Sequence, residues 1–377
     1  MRFLTLILLF FFSFSASSQV IPAAELTFDY FSLLKNKNIG VVANQTSLIG
    51  NTHLIDSLLS SGICVKRIFC PEHGFRGNAD AGENVQTSKD SKTGLPVISL
   101  YGKNKKPYPA DLQGLDVVVF DIQDVGVRFY TYISTLHYVM EACAENNILL
   151  LILDRPNPNA NYIDGPVLKK DFHSFVGMHK VPLVYGMTIA EYAQMINGEG
   201  WLSKKIKCNM QIVKCRNYSH SKKYNLLVKP SPNLPNMQSV YLYPSLGLFE
   251  GTNVSVGRGT PFPFQVIGNP FIDSTLFYFI PKSTIGAKNP IYQNKKCYGF
   301  DLRNSSDTVF TLKYIIKMYN LSSNKEAFFN PFFQKLIGTD EVIPLIKAGK
   351  TEEEIKALWQ TDLENFKEVR KKFLLYD

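Results

Sequence analysis

The hydrophobic positions in the first half of the chain fall into five short runs, at residues 39–43, 65–70, 97–100, 117–120 and 148–153. Within each run apolar side chains occupy consecutive positions rather than alternate ones. That pattern predicts strands covered on both faces, the condition of a parallel sheet. Between the runs the period changes. Residues 52–61 and 133–146 read as helices, the second with Leu136, Val139, Met140 and Cys143 on one face. Thr188 with Glu191 three positions later is a capping box, which starts a helix there. Strand and helix in alternation predict an α/β protein built on a Rossmann-like parallel sheet with right-handed crossovers.

The pattern then breaks. Residues 216–240 are rich in Lys, Asn, Ser and Pro, with Pro230, Pro232 and Pro235 close together. A boundary is expected near 235. It separates a Rossmann-like catalytic domain, 19–235, from a smaller α+β domain, 236–377, that completes the cleft. The second part opens with a Gly-rich stretch, 246–263. It closes with an amphipathic helix over 352–373 that carries Ile355, Trp359, Phe366, Val369 and Phe373 near one face.

Composition narrows the class. With 377 residues, 45% hydrophobic and 19% charged, the chain is globular and long enough for two cores. Its net charge of +9 suits an anionic partner, but no dense Lys/Arg run concentrates it, which argues against nucleic acid. Arg2, an apolar run over 3–14, and small residues at Ala16 and Ser18 read as a secretory signal ending at 18. The run is too short to cross a hydrocarbon core of ~30 Å as a helix. The expectation is a secreted or periplasmic protein with no integral membrane partner. Six cysteines are sparse for a disulfide scaffold. Cys64, Cys70 and Cys143 sit among apolar residues and are expected to be buried thiols, and Cys208 could pair with Cys215 across adjacent strands. There is no CxxC or HExxH, no GxGxxG after the first run and no Walker lysine, so neither a metal nor a nucleotide cofactor is expected.

Ligands of an open α/β sheet sit at the carboxyl ends of its strands, so the residues just past each run carry the candidate chemistry. They are Asn44 and Gln45 after the first, Glu72, His73 and Arg76 after the second, and Asp121, Gln123, Asp124 and Arg128 after the fourth. Asp154 and Arg155 follow the fifth. Carboxylates, amides and arginines on one rim suit sugar hydroxyls and carboxylates, and paired carboxylates cleave glycosidic bonds. Glu72, rigidly placed, is the first choice for a catalytic acid. Glu250, before Gly251 and with Asn253 nearby, is the second carboxylate. Asp80 and Glu83 form another acidic patch. Tyr130 and Tyr132 are placed to stack on a sugar or to pack in the core. Arg128, Arg155 and Arg258 are candidates for an anionic substrate group, with pairing to the neighbouring aspartates the rival for Arg155.

These segments together resemble one family. VANQT (42–46), PEHGFRG (71–77), FDIQDVGVRFYTY (120–132), LDRPNP (153–158), SPNLP (231–235) and FEGTNVSVGRGT (249–260) are similar, in order, to the NamZ-type exo-β-N-acetylmuramidases. The resemblance implies a glycosidase that removes single N-acetylmuramic acid units from the non-reducing ends of peptidoglycan fragments. It also implies a cleft between a Rossmann-like and a smaller domain, and no metal or nucleotide. Carried over residue by residue, the family's two motif glutamates are Glu72 and Glu250. Where relatives have His before the Gly-Met-Thr motif, this chain has Tyr185, which leaves hydroxyl binding but not proton transfer at that position. Glu83 remains an alternative second carboxylate, and retaining, inverting and substrate-assisted routes stay open. A non-catalytic sugar-binding protein on the same fold is the rival, separated by an assay on a chromogenic N-acetylmuramide.

Overall fold

The structure is a computed structural model that describes residues 19–72, 74–75, 88–272 and 277–377. The described strands are β1 (Asn38–Ala43), β2 (Leu48–Ile49), β3 (Thr52–His53), β4 (Cys64–Cys70), β5 (Ser88–Lys89) and β6 (Pro96–Ser99). They continue with β7 (Val117–Asp121), β8 (Leu149–Leu153), β9 (Met210–Val213), β10 (Val266–Asn269), β11 (Phe277–Phe279) and β12 (Cys297–Asp301). Seven of them form one sheet in the order β5-β6-β4-β1-β7-β8-β9, parallel throughout except for β5 against β6. All five sequence runs are strands of this sheet.

The double-sided burial expected from the consecutive apolar positions is visible residue by residue. Val42, Phe69, Val118, Phe120, Leu150 and Ile152 face one buried cluster. Their neighbours Val41, Ile68, Val117, Val119, Leu151 and Leu153 face a second cluster on the other side. Side chains alternate across the pleat, so each strand supplies both layers. The larger cluster continues past residue 240 through Leu246, Phe264, Phe310 and Phe333, so the smaller part shares its core with the sheet domain.

The chain runs from β1 out to β4 and β6, then returns to β7 on the other side of β1. This reversal opens a crevice beyond the carboxyl ends of β4, β1 and β7. The helix Tyr132–Glu145 covers the sheet, and Ile189–Gly198 starts at Thr188 with the reciprocal Thr188–Glu191 cap. The helix Met237–Leu246, capped by Asn236, leads into a three-stranded antiparallel sheet, β10-β12-β11. The expected single C-terminal helix is broken. Glu352–Lys356 and Gln360–Lys371 are separated by a 3-10 turn at Ala357–Trp359. That turn lets Trp359 bury its ring while its indole nitrogen donates to Asp164, 3.1 Å away. The C-terminal helices thus join the two parts: Trp359 and Lys356 reach Asp164, while Glu352 holds Thr311 and Leu312 of the smaller part.

All six thiols are free. Cys208 and Cys215 flank the single strand β9 and are not paired. Cys64, at the start of β4, is exposed, contrary to the expectation of burial, because the first position of that strand lies at the rim of the sheet. Among the described residues no helix is long and apolar enough to cross a membrane.

Candidate active site

Two residues past β4, Glu72 reaches the crevice. Its Oε2 accepts a hydrogen bond of 2.9 Å from the Thr131 hydroxyl, at the N-cap of Tyr132–Glu145. The segment between β7 and that helix places Phe129, Tyr130 and Thr131 on the same wall. Tyr243, Glu250, Arg258 and Phe264 of the smaller part and Ser231 and Asn233 of the connecting segment complete the lining. The result is a cavity of about 280 Å³, at the small end for ligand pockets. Its aromatic wall interlocks edge to face: Phe129 on Tyr243 at 5.2 Å, Tyr130 on Tyr243 at 5.9 Å, Tyr243 on Phe264 at 5.0 Å.

Glu250 sits in a 3-10 turn, Gly247–Gly251. The turn lies so close to the next layer that a Cβ on Gly251 would come within 2.3 Å of the Phe333 backbone. Glycine is required there, and it fixes the carboxylate beside it. Arg258 grips Oε1 of Glu250 twice, through Nε at 3.1 Å and Nη2 at 2.7 Å, and lies 5.1 Å over the Phe264 ring. Burial pulls the Arg258 guanidinium toward neutrality, and Glu250, then Tyr243 and Glu72, outweigh it, so its pKa is raised. The Tyr243 phenol is pushed well above its ordinary value, first by burial, with Glu250 and Glu72 adding to it. It stays protonated at neutral pH, within the field of both carboxylates.

Several expected substrate contacts are spent on the scaffold instead. Arg128 is fully buried and does not line the cavity. Its Nη1 donates to the carbonyls of Pro166 (2.7 Å) and Val181 (2.8 Å), and its Nη2 to those of Leu336 (3.1 Å) and Ile337 (2.7 Å). It has no room for a substrate carboxylate. Asp121 is consumed by Arg155 in a two-point pair at 2.5 and 2.9 Å. That pairing was the rival reading for Arg155.

Asn44 ties the Tyr132 hydroxyl to the Thr46 turn. Gln45 holds the carbonyl of Pro230, which the Tyr130 and Tyr132 hydroxyls also reach. Gln123 bonds the carbonyls of Asp124 and Pro156. Asp124 lies beneath the aromatic wall, where burial pushes it up to about 6 against hydrogen bonds from Tyr185 and the Gly126 amide. Tyr185 is thus occupied by Asp124 and fully buried. Asp154 accepts from the Tyr376 hydroxyl at 2.6 Å and the Ala190 amide at 3.0 Å. The Asn253 carbonyl serves Asn269 and Tyr292 inside the smaller part. His73, Arg76, Asp80 and Glu83 lie outside the described residues.

The cavity therefore unites Glu72, Tyr130, Glu250 and Arg258 from the expected set and adds Thr131, Tyr243, Ser231 and Asn233. Thr131, Ser231 and the residues around Asn233 stood inside motifs already singled out. Their signal was the motif, since nothing in the residue types themselves marks them. Among the described residues no cluster of three or more His, Cys, Asp or Glu side chains is arranged for a metal.

Two carboxylates facing one small, ring-lined cavity are what cleavage of a glycosidic bond requires, and they put the protein among the carbohydrate-active hydrolases. The comparisons make the class specific. The family model described as exo-beta-N-acetylmuramidase NamZ, N-terminal, matches residues 39–238, and its C-terminal counterpart matches 241–376. The chain belongs to this family. It is 40% identical over 374 residues to the peptidoglycan beta-N-acetylmuramidase NamZ of Bacillus subtilis (strain 168), covering 92% of this chain and 89% of that protein. Among solved structures, one DUF1343 family protein of Bacteroides fragilis NCTC 9343 is 48% identical. It superposes with a TM-score of 0.89 over 96% of this chain and 99% of its own. A second from the same organism is 28% identical, with a TM-score of 0.81 over 95% and 99%.

Proposed function

We propose that the protein is an exo-acting β-N-acetylmuramidase that takes the terminal N-acetylmuramic acid of a peptidoglycan fragment into the cavity and hydrolyses the bond behind it. The observation that carries this is that Glu72 and Glu250, from different parts of the chain, line one cavity of about 280 Å³. So small a space suits one terminal sugar rather than a threaded chain. Glu72, set just past the end of β4 and held by the Thr131 hydroxyl, is suited to give its proton to the leaving oxygen. Glu250, ion-paired with Arg258, is suited to supply negative charge as the sugar becomes cationic, as nucleophile or as base for water. Tyr243, Ser231 and Asn233 supply neutral hydrogen-bonding groups for hydroxyl and acetamido groups. Arg258 is the guanidinium on the cavity, and its Nη1 has no hydrogen-bond partner among the described residues. The lactyl carboxylate that distinguishes muramic acid from glucosamine is the natural occupant. The apolar run over 3–14 supports export to the periplasm or medium, where the substrate resides.

The test is Glu72→Gln on a chromogenic N-acetylmuramide. Loss of a positioned proton donor costs ~10²–10⁴ in kcat, with folding unchanged. A folded variant with near-normal kcat would remove Glu72 from the mechanism.

A further inference from the structure

A second concavity lies on the sheet domain, beyond the loop that forms one edge of the cavity. It is a groove of about 1050 Å³ between the helix Tyr132–Glu145, the segment 167–180 and Trp201. The two spaces meet at one ring pair. Phe175 lines the cavity, Tyr138 lines the groove, and their rings stack at 6.3 Å with planes 20° apart. Lys105 lies at that junction, 4.5 Å over the Phe175 ring. A chain leaving the cavity past Phe175 would reach the groove beside this cation.

The floor of the groove is built and neutral. The Tyr192 hydroxyl, His179 and His137 form a hydrogen-bonded row, at 3.0 Å and 2.9 Å, and the Trp201 ring lies flat on His179 at 4.6 Å. Burial holds both imidazoles below their ordinary pKa. His137 Nε2 is left without a hydrogen bond among the described residues, 3.8 Å from a Glu141 oxygen. The rim is positive. Lys170 and Lys180 line it and have no ion pair among the described residues, Glu141 is already neutralised by Lys106 at 2.7 Å, and Asp362 is the remaining carboxylate, so the rim keeps a net positive charge. A ring-and-imidazole floor under unpaired ammonium groups fits a hydroxylated chain that carries carboxylates.

We propose that this groove binds the remainder of the glycan, on the leaving-group side of the scissile bond, and that Lys170 and Lys180 recognise its carboxylates. This rests on the reading that the cavity holds the terminal muramic acid. The carboxylates have two possible sources in peptidoglycan, the free lactyl groups of inner muramic acids and the short peptides that can be attached to them.

The experiment compares the wild type with the double variant Lys170→Glu/Lys180→Glu. The substrates are the disaccharide MurNAc-GlcNAc, the peptide-free tetrasaccharide, and the same tetrasaccharide with a peptide on its inner muramic acid. On the disaccharide, which ends near the junction, kcat/KM is expected to stay within about twofold. On a longer substrate it is expected to fall roughly tenfold, and the fall to shrink in about 0.5 M salt. A defect on the peptide-free chain assigns the lactyl carboxylates, and a defect on the peptide-bearing chain alone assigns the peptide. No defect on either chain, or an equal defect on all three substrates, overturns the proposal. A wild type that cleaves none of the three would instead overturn the reading of the cavity.

Discussion

Replacing Arg128 separates a scaffold role from a substrate role more sharply than any change in the cavity. In Arg128→Ala four buried carbonyls, those of Pro166, Val181, Leu336 and Ile337, lose the guanidinium at once, though that of Val181 keeps the Leu168 amide at 3.1 Å. Two belong to the sheet domain and two to the last turn of Phe332–Ile337, where a cation also complements the helix end. Burial pulls the guanidinium down to about 9, still above neutral pH, so the charged form fills the socket. The socket is tailored: Gly338, at φ +83°, ends that helix, and a Cβ there would lie 2.4 Å from Nη2. A buried acceptor without a partner costs ~1–3 kcal/mol. If water rescues one of the other three, roughly 2–6 kcal/mol is lost, a Tm drop of about 2–12 °C for a chain this long. Arg128→Lys should recover only part of it, because one ammonium cannot reproduce the planar fork. Thermal unfolding, followed beside KM on a muramic substrate, decides the matter. An unchanged Tm with KM raised tenfold or more, about 1.4 kcal/mol, would put Arg128 back among the substrate-binding groups and refute the scaffold argument.

Two further outcomes follow from polar contacts at and beneath the site. Thr131→Val removes the hydroxyl from Glu72, worth ~0.5–1.5 kcal/mol. kcat should drop roughly 2–12-fold with KM held and return in Thr131→Ser; failure of serine to rescue would assign Thr131 to packing alone. Burial pushes Asp154 from its ordinary 3.8 up to about 7, with Glu191 adding to it and the Tyr376 and Ala190 hydrogen bonds opposing. The folded state therefore holds this proton over a pH range in which the unfolded chain has lost it. Stability falls as pH rises from about 4 to about 7, then levels off. Relative to Asp154→Asn, the wild type should lose stability across that window in denaturant titrations, and a flat difference would show that Asp154 does not titrate there.

The sheet was legible because burial on both faces leaves an unbroken apolar run, as in β7, where every residue is buried. β9 escaped notice because it lies at the sheet edge, and only Val213 of its four residues is fully buried. Glu72 was legible from its place after a strand end. Arg128 and Asp121 were misread for the same reason: a polar residue after a strand end can face the crevice or turn into the scaffold. What separates the two is its partner, here carbonyls from segments as distant as residue 337, which local sequence does not reveal. The break at Ala357–Trp359 was hidden because a 3-10 turn preserves the apolar spacing while changing direction.

The six unpaired thiols have a practical consequence. Without cross-links, no loop of the unfolded chain is shortened in advance, and the protein can mature without an oxidant, whatever compartment receives it. Burial raises the pKa of Cys70, Cys208 and Cys297 to about 12, and that of Cys143 and Cys215 well above the ordinary value, so they are poor nucleophiles at neutral pH. Cys64 alone is exposed. It begins β4, the strand whose far end leads to Glu72, and seven residues of strand span roughly 20 Å. A maleimide dye would thus attach at one position, outside the cavity and at the opposite end of the strand that positions the proposed acid.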